Sequence, residues 1–83
     1  MNAGIEVGLI YEDCGYYPVL CTYINVDEDE LQGICLIDGS VRGGCSLRHC
    51  GPELLTVEQA LVIKRDHGAY VAHRVAGGDL PVA

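Results

Sequence analysis

The stretch Val41-Arg42-Gly43-Gly44-Cys45-Ser46-Leu47-Arg48-His49-Cys50 carries the cleanest two-residue alternation in the chain. Val41, Cys45, Leu47 and His49 fall on one face, and Arg42, Ser46, Arg48 and Cys50 on the other. That pattern predicts a strand over 41–48 with one buried face. The same stretch holds two of the five cysteines, with a histidine beside one of them. The strongest structural signal and the strongest chemical signal therefore coincide.

Toward the N-terminus, Asp38-Gly39-Ser40 precedes this strand. Asp-Gly is a tight hairpin signal, because both central positions of the favoured turn need positive φ. Residues 31–37 and 19–26 read as two further strands, apolar on both faces. In the first of these, Ile34 and Leu36 lie opposite Leu31, Cys35 and Ile37. In the second, Val19, Cys21 and Tyr23 lie opposite Leu20, Thr22, Ile24 and Val26. Asp27-Glu28-Asp29-Glu30 between them marks a hairpin tip, where like charges spread into water. Residues 19–48 thus predict a three-stranded antiparallel meander. Residues 5–12 read as a first strand, weakened at Gly8. Asp13 to Pro18 reads as a loop, since Asp and Gly supply turn chemistry and Pro18 opens a strand rather than sitting inside one.

Toward the C-terminus, Cys50-Gly51-Pro52 ends the sheet. Thr56-Val57-Glu58-Gln59 is a capping-box pattern. It predicts a helix over 57–66, stopped by Gly68. The apolar residues of that helix make no single stripe, which predicts cover on more than one side. Residues 69–75 read as a last strand. Residues 1–75 then form a single β-rich domain, with 76–83 a flexible tail.

The chain has 83 residues. At that size folding buries only roughly 60–65% of the surface the unfolded chain exposes, so the core is small. Trp and Phe are both absent, which leaves the core to Val, Leu, Ile, Ala, Cys and some of the five Tyr. Twelve acids against five Lys plus Arg give a formal charge of −7. That field repels phosphate backbones and anionic membrane surfaces. Lys64-Arg65 is too short a basic cluster to reverse it, so neither nucleic acid nor membrane is expected as a partner. No apolar run approaches the roughly 18–20 residues that span a bilayer. Residues 1–8 carry Glu6 and no basic residue, unlike a signal peptide. The expectation is a cytoplasmic chain with free, reduced thiols and no intrachain disulfide.

One strand, a loop, a three-stranded meander and a helical turn outline a mainly β fold. The expected form is a small SH3-like partial barrel with one short C-terminal helix. The order Val7-Gly8, Gly15, Pro18-Val19-Leu20, Asp38-Gly39 and Leu47 resembles the small bacterial SH3-like β-barrel proteins, many of them of unassigned function, over roughly residues 5–55. The resemblance implies a fold and no catalytic residue. Cysteines are more frequent here, and the helix with its following segment is extra.

The chemistry has three candidates. Cys45, His49, Cys50 and Cys14, with Cys21 in reserve, are the donor types of a structural zinc site. A strand over 41–48 turns Cys45 and Cys50 to opposite faces, however, and the spacing lacks a tight knuckle. Cys14 or Cys50 with His49, His67 or His73 holds the minimum for nucleophilic catalysis, but no local signature ties them together. The carboxylates at 27–30 share one solvated environment, whereas acid–base catalysis needs unlike ones. The Asp-x-Asp-x-Asp-Gly pattern of a calcium loop is absent. The most binding-like surface is the loop carrying Glu12, Asp13, Tyr16 and Tyr17. Tyr gives rigid amphipathic contact, and SH3-type grooves combine loop aromatics with acids to hold Pro-rich, Arg-bearing peptides.

The expected function is a non-catalytic protein-interaction or self-assembly module with no cofactor. Its partners would be a second copy of itself, and a peptide or protein. A Cys/His structural zinc protein and a small enzyme with a Cys–His site at a subunit interface are the alternatives. Two strands apolar on both faces cannot both be covered by one short helix. Self-association as a homodimer or a higher closed oligomer, with residues of 19–37 in the interface, is the expected solution, and a two-fold dimer is the commonest closed form.

Overall fold

The computed structural model describes residues 4–46 and 51–82, with Cys45 described by its backbone alone. The elements are β1 (Ile10–Glu12), β2 (Pro18–Asn25), β3 (Glu30–Cys35), β4 (Val41–Cys45), β5 (Glu53–Leu55), α1 (Val57–Arg65) and α2 (His67–Val75). The protein is mainly β. Its strands form one antiparallel sheet in the order β4-β3-β2-β1-β5, open at β4 and β5. Among the described residues, no helix is long and apolar enough to cross a membrane.

The sheet has a core on each face. Tyr11, Val19, Cys21 and Leu31 point to one side, where Ile5 of the N-terminal segment covers them and Tyr17 and Ile24 pack at the margin. Leu55 points to the other side, where it meets Ile63 of α1 and Tyr70 of α2, with Ile10, Tyr16 and Leu80 around them. The strand alternation places Ile10 and Tyr11 on these opposite faces. Burying both faces lets an 83-residue chain without Trp or Phe assemble enough apolar contact to fold.

The meander forms as the sequence predicts, but its alternation is broken in two places. In β4 the register against β3 shifts between Leu31 and Gly33, and Val41, expected on the buried face, is 77% exposed. In β2 the phase also changes. Cys21 pairs with Gly33 and Tyr23 with Gln32, so Thr22 is an extra residue in β2. This bulge turns Tyr23 outward and brings Ile24 to the side of Val19 and Cys21, reversing the alternation expected beyond residue 22. Gly33 opposite the bulge is required by space. A Cβ there would lie 2.3 Å from the Leu20 carbonyl oxygen and 2.5 Å from a Val19 methyl.

Four expectations are corrected. The first strand is Ile10–Glu12 rather than residues 5–12. Gly8 at φ 94° turns the chain, the Leu9 amide donates to the Glu6 carbonyl, and Ile5 is folded back into the core. The sheet does not end at residues 50–52, because β5 follows Pro52 and pairs with β1. Three residues are too few to show a period, so only the pairing with β1 defines this strand. The helix of 57–66 ends at Arg65, not at Gly68. Asp66, at φ −155° and ψ 82°, closes α1 and opens α2.

Residues 69–75 are helical, so the protein has two C-terminal helices rather than one helix and a strand. The Asp66 side chain accepts the Ala69 amide, Ala69 and Ala72 favour helix, and the helical spacing brings Tyr70 and Arg74 within one turn of each other on one face. The capping box of α1 is present. The Thr56 hydroxyl accepts the Gln59 amide at 3.1 Å, and the Gln59 side chain accepts the Thr56 amide at 2.8 Å. Residues 76–82 lie against these helices. Arg74 donates to the Gly78 carbonyl at 2.6 Å, and the Gln59 side chain donates to the Pro81 carbonyl at 2.8 Å.

Candidate functional site

The loop between β1 and β2 gathers the charged and aromatic groups of the molecule. Glu12 ends β1 on the helix side of the sheet. Its carboxylate accepts the Tyr70 hydroxyl and, at 2.9 Å, Nη2 of Arg74. Asp13 turns to the opposite side. Its Oδ2 accepts Nε of Arg42 at 2.8 Å, and its Oδ1 accepts the amides of Gly15 and Tyr17 at 3.0 and 2.9 Å. Each guanidinium also lies over a tyrosine. Arg42 sits 4.1 Å from the centroid of Tyr17, and Arg74 5.3 Å from that of Tyr16.

His67, the first residue of α2, joins the two halves. Its ring packs 4.4 Å from that of Tyr17, and its Nε2 donates to the Tyr16 carbonyl at 3.0 Å. Tyr16 itself holds φ 64°, a left-handed conformation that costs a bulky residue about 1–2 kcal/mol. The Asp13 carbonyl, the Arg74 guanidinium and the His67 ring together hold it there.

Glu12 and Asp13 are 4% and 6% exposed. A buried carboxylate is tolerated only when paired and hydrogen-bonded, and both are. Burial, reinforced by donation to Glu12, pushes the Tyr70 hydroxyl well above its ordinary pKa. The Glu12 hydrogen bond outweighs desolvation at Arg74 and raises its pKa, so that guanidinium stays charged. The structure therefore brings together all four loop residues singled out in the sequence, with both carboxylates engaged inside the chain. Tyr16 and Tyr17 are half-buried and Cys14 is exposed. Sequence reasoning missed Arg42, His67, Tyr70 and Arg74 as members of this cluster. For Tyr70 and Arg74 the signal was present as a four-residue spacing, readable once 67–75 is taken as a helix.

The cysteines divide by position. Cys21 and Cys35 are buried free thiols on the first core's side, and Cys14 lies exposed at the surface. Burial raises the Cys21 pKa against the opposing effect of its contact with the Tyr23 carbonyl. His49, Cys50 and the Cys45 side chain lie outside the described residues. Among the described residues, no group of three or more His, Cys, Asp or Glu side chains converges on a common point.

Two surface features remain. An open, mostly apolar groove of about 510 Å³ runs between the helices and the C-terminal segment, lined by Val62, Tyr70, His73, Leu80 and Pro81. The second feature is a row of apolar residues crossing the whole sheet on its helix-bearing face. Leu55 pairs with Ile10, Ile10 with Leu20, Leu20 with Ile34, and Ile34 with Val41. The helices cover one end only. Exposure rises from 6% at Leu55 to 39% at Ile34 and 77% at Val41. Tyr23, turned outward by the bulge, widens the open end.

Comparison with models of protein families, with characterised proteins and with solved structures finds no match for this chain.

Proposed function

We propose that the protein is a non-catalytic interaction module that self-associates through the open β2–β3–β4 end of its sheet. The observation that carries this reading is the unequal cover of the apolar row. The same five-residue row is sealed at Leu55 and bare at Val41. Leaving Val41, Ile34 and Tyr23 in water gives up burial that a small core can ill spare.

We also infer that the sheet is a partly rolled SH3-like barrel. The order β4-β3-β2-β1-β5 supports this, since the last strand returns beside the first after a meander. In this reading the carboxylate–arginine–tyrosine cluster holds the β1–β2 loop rigid. The loop then stands as a preformed surface for Tyr16 and Tyr17 to meet a peptide or protein.

Light scattering of the full chain at micromolar concentration tests the self-association. The expected mass is twice that of the 8.9 kDa chain. A monomer mass across that range overturns the reading.

A further inference from the structure

We infer that the partner is a second copy of this chain, joined edge to edge by antiparallel pairing of β4 with its two-fold mate. This rests on the self-association reading and specifies its geometry.

The two edges of the sheet differ. β5 is three residues long, follows Pro52 and carries the exposed acid Glu53. Shortness, proline and charge are the devices that keep a strand edge from recruiting another chain. β4 is five residues long and contains neither proline nor lysine, and its register irregularity against β3 lies beyond Arg42, away from the pair Ile34–Val41. Its one charge, Arg42, is turned to the opposite face and engaged by Asp13. Among the described residues, nothing pairs with its outer side.

The backbone of that edge is poised to pair. The Ser40 carbonyl accepts the Cys35 amide at 2.8 Å, so Ser40 faces β3. Antiparallel strands alternate the direction of their backbone groups, and Val41, next along, turns its own N–H and C=O toward the open edge. Val41 is also the most exposed member of the apolar row. One residue thus offers both a backbone donor–acceptor pair and an unburied side chain at the same edge.

Area decides between edge pairing and simple stacking of faces. A stable interface buries about 800 Å² on each partner. Leu20, Tyr23, Ile34 and Val41, of which only Val41 is more than half exposed, fall short of that by themselves. The backbone hydrogen bonds of a paired edge supply what the side chains lack. A bare edge on one side and a guarded edge on the other also selects closure. β4 against β4 is isologous and stops at two, whereas β4 against β5 would propagate into a fibre.

The test compares two variants of the full chain by sedimentation velocity. Val41→Lys places the residue that blunts natural edges on β4, and the dimer dissociation constant is expected to rise by at least about ten-fold. Tyr23→Lys puts the same charge on the same open face but two strands in from the edge, at the margin of the contact, and is expected to raise the constant by no more than about three-fold. Dimers weakened by Tyr23→Lys as much as by Val41→Lys would overturn edge pairing and favour packing of faces, leaving self-association standing. A monomeric parent chain would overturn both. Amide exchange of the unaltered chain guards against misfolded variants. The Val41 amide should exchange at least about ten-fold more slowly at high concentration than at dilution. Equal rates in a dimeric sample would also overturn the pairing.

Discussion

Glu12 and Asp13 are adjacent in the chain, yet their carboxylates leave opposite sides of the sheet to meet arginines from different elements. Arg74 of α2 holds Glu12 at 2.9 Å, and Arg42 of β4 holds Asp13 at 2.8 Å. One dipeptide therefore ties the C-terminal helix and the far edge strand to the same loop. Because Tyr16 and Tyr17 lie beneath the two guanidiniums, the loop is fixed on both sides at once.

The two ion pairs should not contribute equally. Removing Arg74 leaves Glu12 buried with Tyr70 as its remaining side-chain partner, so Arg74→Met is expected to cost about 2–3 kcal/mol. Asp13 keeps two backbone amides when Arg42 is removed, and the Arg42 side chain is partly exposed, so Arg42→Met should cost about 1 kcal/mol or less. Urea unfolding of both variants checks the order. A larger loss for Arg42→Met would contradict it.

Tyr70 makes stability fall on the alkaline side. Its hydroxyl, raised in the folded chain by burial and by Glu12, ionises at about 10 once unfolded. The unfolded chain therefore loses this proton first, and the contribution is full below about pH 10 and fades as pH rises through the higher folded value. Buried Cys21, also raised, acts in the same direction. Melting curves between pH 8 and 11 should fall more steeply for the parent chain than for Tyr70→Phe. Parallel slopes would remove Tyr70 from the account.

Gly33→Ala tests the bulge. The new methyl would meet the Leu20 carbonyl and Val19, groups held by the sheet, and overpacking of this kind costs about 1–3 kcal/mol. The alanine variant should melt lower with its helix content intact by circular dichroism. An unchanged melting temperature would mean that β2 and β3 are farther apart than described.

Asp66 closes α1 and caps α2 through the Ala69 amide at 3.1 Å. Asp66→Ala should cost about 1 kcal/mol and Asp66→Asn less, because the amide side chain also caps. Chemical denaturation of the pair reads the difference. Equal losses would count against a capping role.

Among Cys14, Cys21 and Cys35, a thiol reagent should label Cys14 first in the native chain, with Cys21 and Cys35 reacting only on unfolding. Peptide mapping after a short pulse distinguishes them. Early label on Cys21 would show that the first core opens readily.

Much of the fold was written locally. Alternation over the strands, Asp-Gly at the second hairpin and the Thr56–Gln59 box act between neighbours, and their physics is complete within a few residues. The meander and the start of α1 were legible for that reason. The rest was decided by contacts distant in sequence. β5 exists because Ile10, Tyr11 and Glu12 offer it a partner, and Thr22 became a bulge only against β3. The segment 67–75 is helical because that form lets Tyr70 and Arg74 both reach Glu12, some sixty residues earlier. The candidate site followed the same division. The sequence by itself marked Glu12, Asp13, Tyr16 and Tyr17 as an acidic, aromatic loop. Only the tertiary structure supplied their arginines, since opposite charges far apart in the chain acquire a fixed geometry when folding removes the water between them.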